Sequence, residues 1–154
     1  MRNDGSSRGT PPAAPLVLPI VLAFLALAAA PLAACEFTYT ISGPGLSAVR
    51  VIPGVPVTLS AGAEYTLTVS YREDHGNCVV PAADTLFLVE EERWKTGKDY
   101  LPLELLSARP WTDAGRSHST TLTFRAADPG TWPLQVIREC SRTDYDQKLL
   151  FKVT

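Results

Sequence analysis

Histidine, methionine, charge of one sign and helical patterning are all scarce in this chain. Its 154 residues hold two histidines and one methionine, which is Met1. A serine or cysteine triad needs an imidazole base, and only His75 and His118 are available to supply one. His75 lies in the turn-like run Asp74-His75-Gly76-Asn77, and His118 lies in Arg116-Ser117-His118-Ser119 where a strand begins. Both read as solvated polar residues. The chain has no H-E-x-x-H motif, and G-x-S-x-G occurs once, as Gly5-Ser6-Ser7-Arg8-Gly9 ahead of the apolar run, without the strand-and-helix context of a nucleophile elbow. A blue-copper centre needs two His, one Cys and usually an axial Met, but no His follows Cys140. No catalysis, metal or cofactor is therefore expected. Fourteen Lys and Arg face sixteen Asp and Glu, for a formal charge of −2. That balance offers no basic field for nucleic acid. No window of about 12 residues has helical periodicity, and there is no fixed-period repeat.

What is present begins with an uneven distribution of apolar residues. Met1 to Thr10 carry Arg2, Arg8 and Asp4, whereas Pro11 to Ala34 carry no charge at all. The apolar centre, Leu16 to Ala30, is followed by Pro31-Leu32-Ala33-Ala34-Cys35. A short positive start, an apolar run and small residues read as an export signal over residues 1–34. A spanning helix needs about 20 apolar residues, and Pro19 and Pro31 interrupt this one. Without residues 1–34 the formal charge becomes −3, because Arg2, Arg8 and Asp4 leave together.

Leu32-Ala33-Ala34-Cys35 resembles the lipobox of bacterial lipoproteins. The resemblance implies cleavage before Cys35 and a diacylglyceryl thioether on its sulfur. Two or three acyl chains give stable anchoring where one chain binds only marginally. Glu36, in the place where inner-membrane retention typically uses Asp, leans towards an outer-membrane destination in a cell with two membranes. With Cys35 as the lipid site, Cys78 and Cys140 remain as an even pair in an oxidising compartment, and a disulfide between them is expected. Closing that loop would contribute about 4 kcal/mol on the chain-entropy account.

Residues 35–47 read as the anchor followed by a short tether or first strand, and residues 48–154 as one domain. The pattern is period-two alternation. Tyr65, Leu67, Val69 and Tyr71 share one face. So do Leu122 and Phe124, then Trp132, Leu134 and Val136, then Leu149, Phe151 and Val153. Further strands are expected over residues 36–41, 48–52, 55–59 and 86–89. Another is expected at the sheet edge over 98–106, where Pro102 cannot donate to a ladder. Turn formers such as Gly43-Pro44-Gly45 and Asp128-Pro129-Gly130 separate these runs. Glu90-Glu91-Glu92 reads as a hairpin end. Seven to nine short strands imply an all-β, immunoglobulin-like antiparallel sandwich.

In such a fold the strands over 63–71 and 132–140 run in the same direction, so Cys78 and Cys140 fall at one pole. The loops there carry Glu73, Asp74, His75 and Asn77 on one side, and Arg142, Asp144, Tyr145 and Asp146 on the other. Trp111 adds an aromatic contact. Arg72, Arg138 and Arg142 offset the acids on what reads as a solvated rim. Rigid loop poles are where sandwich domains bind partners. Trp132 reads as core, while packing and partner contact both remain open for Trp94 and Trp111.

Thr121-Leu122-Thr123-Phe124-Arg125-Ala126-Ala127, then Pro129-Gly130-Thr131 and an alternating strand, resembles the late-strand pattern of chagasin-type inhibitors of papain-like proteases. The resemblance implies the same sandwich and a protease partner. Its Asn-Pro-Thr-Thr-Gly loop is replaced here by Glu73-Asp74-His75-Gly76-Asn77-Cys78, and Arg109-Pro110-Trp111 occurs in a different loop. Two functions are thus expected in order. The first is an exported, lipid-anchored binding module with an envelope or extracellular protein partner; the second is a cysteine-protease inhibitor.

Overall fold

The computed structural model describes residues 35–73, 78–140 and 144–154. They form β1 (Cys35–Gly43), β2 (Leu46–Val51), β3 (Pro56–Leu59), β4 (Glu64–Glu73), β5 (Leu86–Val89), β6 (Glu92–Arg93), β7 (Leu103–Ala108), β8 (Thr112–Ala114), β9 (Ser117–Ala126), β10 (Gly130–Arg138) and β11 (Tyr145–Val153). One 3₁₀ turn lies at Ala82–Asp84. The first sheet has the order β2-β1-β4-β9-β7, with β8 also paired to β9. The second has the order β3-β11-β10-β5-β6.

The two sheets make an immunoglobulin-like sandwich. β1, β4, β9 and β7 stand where strands A, B, E and D of that fold stand, and β5, β10 and β11 stand where C, F and G do. Every pairing is antiparallel except β3 with β11, which run parallel. Eleven strands among the described residues exceed the seven to nine expected. The excess is the two-residue β6 and the three-residue β8, too short to leave an alternation in sequence. Glu90 and Glu91 have φ of 50° and 65°, and they make the tight turn between β5 and β6. That is the hairpin end read from Glu90-Glu91-Glu92. Residues 35–43 are strand throughout.

The alternating residues meet between the sheets. Leu67, Val69, Phe124, Leu134, Val136, Leu149 and Phe151 have no exposed surface. Each such side chain contributes roughly 1.5–3 kcal/mol relative to an exposed one. Phe124 lies at the centre, 5.5 Å from Phe151, 5.4 Å from Trp94 and 6.0 Å from Tyr65 between ring centroids. Trp94 is core, and its indole N–H donates to the Leu103 carbonyl at 2.6 Å. Trp132 is half-buried against the core and donates to the Asp128 carbonyl at 2.8 Å.

Gly43 ends β1 where the register with β2 shifts. A Cβ there would stand 2.9 Å from the Glu64 carbonyl oxygen and 2.5 Å from the Tyr65 ring. The backbone contact cannot yield without moving β4. We expect Gly43→Ala to lower unfolding free energy by about 1–3 kcal/mol in urea titration with an unchanged m value.

Candidate functional site

Strand register gathers one pole of the sandwich. Cys35 pairs with Glu73, Arg72 with Ser117, and Arg138 with Tyr145. The start of β1 therefore lies beside the end of β4 and the start of β9. Arg138 bridges to the other sheet, its guanidinium 4.5 Å from the centre of the Tyr71 ring.

Arg138 is fully buried, which corrects its expected place on a solvated rim. Continuing the alternation Leu134, Val136 one step further carries Arg138 inward with them. Its Nη1 donates to the Pro81 carbonyl at 2.8 Å and to the Thr85 hydroxyl at 3.4 Å. Its Nη2 donates to the Val80 carbonyl at 2.6 Å and to Cys78 Sγ at 3.4 Å. Nε of Arg138 and the Tyr71 hydroxyl are buried without a hydrogen-bond partner. Burial opposes the Arg138 charge, but the Cys78 bond and the Tyr71 and Cys35 groups outweigh it and hold the guanidinium protonated.

No sulfur–sulfur bond joins Cys78 to Cys140, which corrects the expected disulfide. The Cys78 sulfur is turned instead to the Arg138 guanidinium. The Cys140 backbone N–H donates to Asp144 Oδ1 at 3.4 Å. Cys35 is buried in a small cluster with Tyr71 and Ala82, flanked by Phe37 and Trp111. Burial, reinforced by Cys140 and Cys78, pushes its thiol up to about 11. Burial likewise pushes the Tyr71 hydroxyl well above its ordinary value.

His118 is drawn in rather than solvated, its side chain 12% exposed. It pairs with Tyr71 across β4 and with Asp113 across β8, and its ring stacks on Tyr71 at 4.6 Å. Nδ1 meets Asp113 Oδ1 at 2.5 Å and Nε2 meets Glu73 Oε1 at 3.1 Å. With a carboxylate on each nitrogen, the imidazole has neither left for a substrate. The cluster ties β8, β9 and β4 together. The facing histidine and acids are separated by up to 45 residues, so only the sheet register brings them together.

The other expected contact residues are dispersed. Glu73 serves His118. Asp146 accepts from Gln135 Nε2 at 2.8 Å. Tyr145 is half-buried, stacked on Phe37 at 4.0 Å with its hydroxyl 2.9 Å from that of Tyr39. Asp74, His75, Asn77 and Arg142 lie outside the described residues. Among the described residues no group of three or more His, Cys, Asp or Glu is placed to hold a metal ion.

Trp111 borders a different feature, a groove of about 460 Å³ between the open edges of the two sheets. Its floor is apolar, with Phe87, Leu105 and Leu122, and Arg93 and Arg109 stand at its margin. The loop between β7 and β8 is fixed at Arg109. Its N–H donates to the Thr121 carbonyl at 2.9 Å, and its carbonyl accepts from the buried Thr120 hydroxyl at 2.6 Å.

No protein family model matches the sequence, and no curated protein matches it. Among solved structures, the chain is similar to domains 4 and 5 of the S-layer protein SbsC at 13% identity, covering 77% of each chain with a TM-score of 0.35.

Two measurements test this pole. Arg138→Ala leaves the Val80 and Pro81 carbonyls without their donor and is expected to cost about 2–4 kcal/mol of stability in denaturant titration. With Cys35 as a free thiol, a group held near 11 stays protonated where an ordinary cysteine is half ionised. Iodoacetamide labelling of Cys35, read by peptide mass, is expected to lag a free cysteine at pH 9 and catch up only near pH 11.

Proposed function

We propose that this chain is an exported lipoprotein, anchored in a bacterial envelope membrane through an acylated Cys35, and that its sandwich is a non-catalytic binding module. The lipobox-like Leu32-Ala33-Ala34-Cys35 supports the anchor. The observation that carries the reading is the position of Cys35 as the first residue of β1, paired with Glu73. An anchor there attaches to the sandwich with no spacer. Acylation requires the sulfur to turn out of its contact with Tyr71, which a residue at the end of a strand can do.

This attachment orients the domain. The ends of β4 and β10 and the starts of β9 and β11 share the pole with Cys35. Glu73, Asp144 and Tyr145 would then stand near the bilayer, and the lateral groove and the opposite pole would be open to partners. An envelope or extracellular protein is the partner class this reading implies, with the outer membrane favoured by Glu36.

The resemblance of residues 121–131 to the late-strand pattern of chagasin-type inhibitors supports a second reading, inhibition of a papain-like protease through loops 72–83, 107–117 and 139–147. That reading needs the pole free of a membrane. Titrating papain with the protein tests it, and unchanged papain activity at high micromolar protein removes it.

The anchor is tested by Cys35→Ser and cell fractionation. The wild type is expected in the membrane fraction, shortened by the signal and carrying acyl mass on its N-terminal peptide. The variant is expected to remain unshortened and unacylated. A variant that is processed and membrane-bound like the wild type overturns the anchor.

A further inference from the structure

The lateral groove combines an apolar floor with two arginines that stand outside any ion pair among the described residues. Among the described residues neither Arg93 nor Arg109 takes part in an ion pair. Both side chains are exposed. Asp113, the acid at the margin, is already bound to His118. Asp84 and Glu139 line a neighbouring depression beside Arg93 without reaching ion-pair distance. An incoming anion would therefore meet two available guanidinium groups, each able to hold a carboxylate in bidentate fashion.

The floor decides the rest of the ligand. The two hydroxyls lining the groove, Thr85 and Thr120, are both buried. Thr85 accepts from Arg138, and Thr120 donates to the Arg109 carbonyl. A sugar ring would bring several hydroxyls to a surface with few free partners, and unpaired polar groups cost binding energy. An apolar side chain suits the floor of Phe87, Leu105 and Leu122. The half-buried Trp111 ring, held edge-on to Tyr71 at 5.5 Å, adds a rigid aromatic wall. The volume falls within the range of ordinary ligand sites. β7 ends its sheet beside the groove, so an extended chain can lie along it.

We propose that this groove binds an extended acidic peptide segment of a partner protein, with apolar side chains on the floor and carboxylates held by Arg93 and Arg109. The proposal rests on reading the domain as a binding module and adds the site and the ligand class.

The test uses the full-length protein in non-ionic detergent micelles. Two fluorescein-labelled octapeptides, one alternating Glu and Phe and one alternating Lys and Phe, are followed by fluorescence anisotropy. A galacturonic acid tetramer is scored by displacement. The Glu/Phe peptide is expected to bind at least about tenfold more tightly than the Lys/Phe peptide, with an affinity that falls as salt rises. Combining Arg93→Gln with Arg109→Gln is expected to weaken it about tenfold and flatten the salt dependence. Trp111→Ala is expected to weaken it without removing the charge preference. Both exposed arginines can change with little effect on the melting temperature, which checks that the variant is folded. Equal binding of the two peptides, unchanged affinity in the double variant, no binding of the Glu/Phe peptide at millimolar concentration, or preference for the uronate overturns the proposal. The same titration on Cys35→Ser separates the two ideas. Peptide binding together with a Cys35→Ser variant still processed and membrane-bound retains the groove and rejects the lipid, and loss of anchoring in Cys35→Ser with no peptide binding by either protein does the reverse.

Discussion

A single buried guanidinium organises one pole of this molecule. Arg138 is carried inward by the alternation of β10 and has no carboxylate partner among the described residues. Burying a charge costs several kcal/mol unless hydrogen bonds and nearby dipoles replace water. Here the Val80 and Pro81 carbonyls, Thr85, Cys78 and the face of Tyr71 do so. Those partners come from β4 and from the segment between β4 and β5. The cation thereby ties the second sheet to the first and fixes the segment that carries Cys78 and Ala82. The same segment lines the groove through Ala82 and Thr85 and covers Cys35 through Ala82.

The pole and the groove are built from different materials. At the pole, aromatic rings stack on each other, on the His118 ring and on the Arg138 guanidinium: Phe37 on Tyr71 and Tyr145, His118 and Arg138 on Tyr71. Its polar groups mostly serve one another, as His118 does with Glu73 and Asp113. At the groove the Thr85 and Thr120 hydroxyls are used internally, but Arg93 and Arg109 are in no ion pair among the described residues.

Much of the fold was legible because strands with one buried face write their period into the sequence. Tyr65, Leu67, Val69 and Tyr71 are all buried, as are Leu122 with Phe124, and Leu149 with Phe151 and Val153. The edge position expected for the strand over 98–106 also holds, but that strand is Leu103–Ala108 and Pro102 precedes it, so the proline is not what sets the edge. The site was much less legible. His118 and Arg138 look like rim residues because local sequence carries no information about what a strand faces across the sheet. Extending the β10 alternation to Arg138 was the one available signal. Pairing Cys78 with Cys140 followed from counting cysteines, and counting cannot reveal that a guanidinium stands at the sulfur.

The sequence by itself determined the strand periods, the turn positions, the charge-free apolar run with small residues before Cys35, and hence an all-β domain behind a lipobox-like motif. These are local properties, set by side-chain alternation and backbone turn chemistry. The tertiary structure alone decided that Cys35 starts a strand inside the sandwich, that Arg138 is the cation beneath Tyr71, and that Arg93 and Arg109 border one groove. Each of those depends on contacts between segments tens of residues apart, which only sheet register and the packing of two sheets can specify.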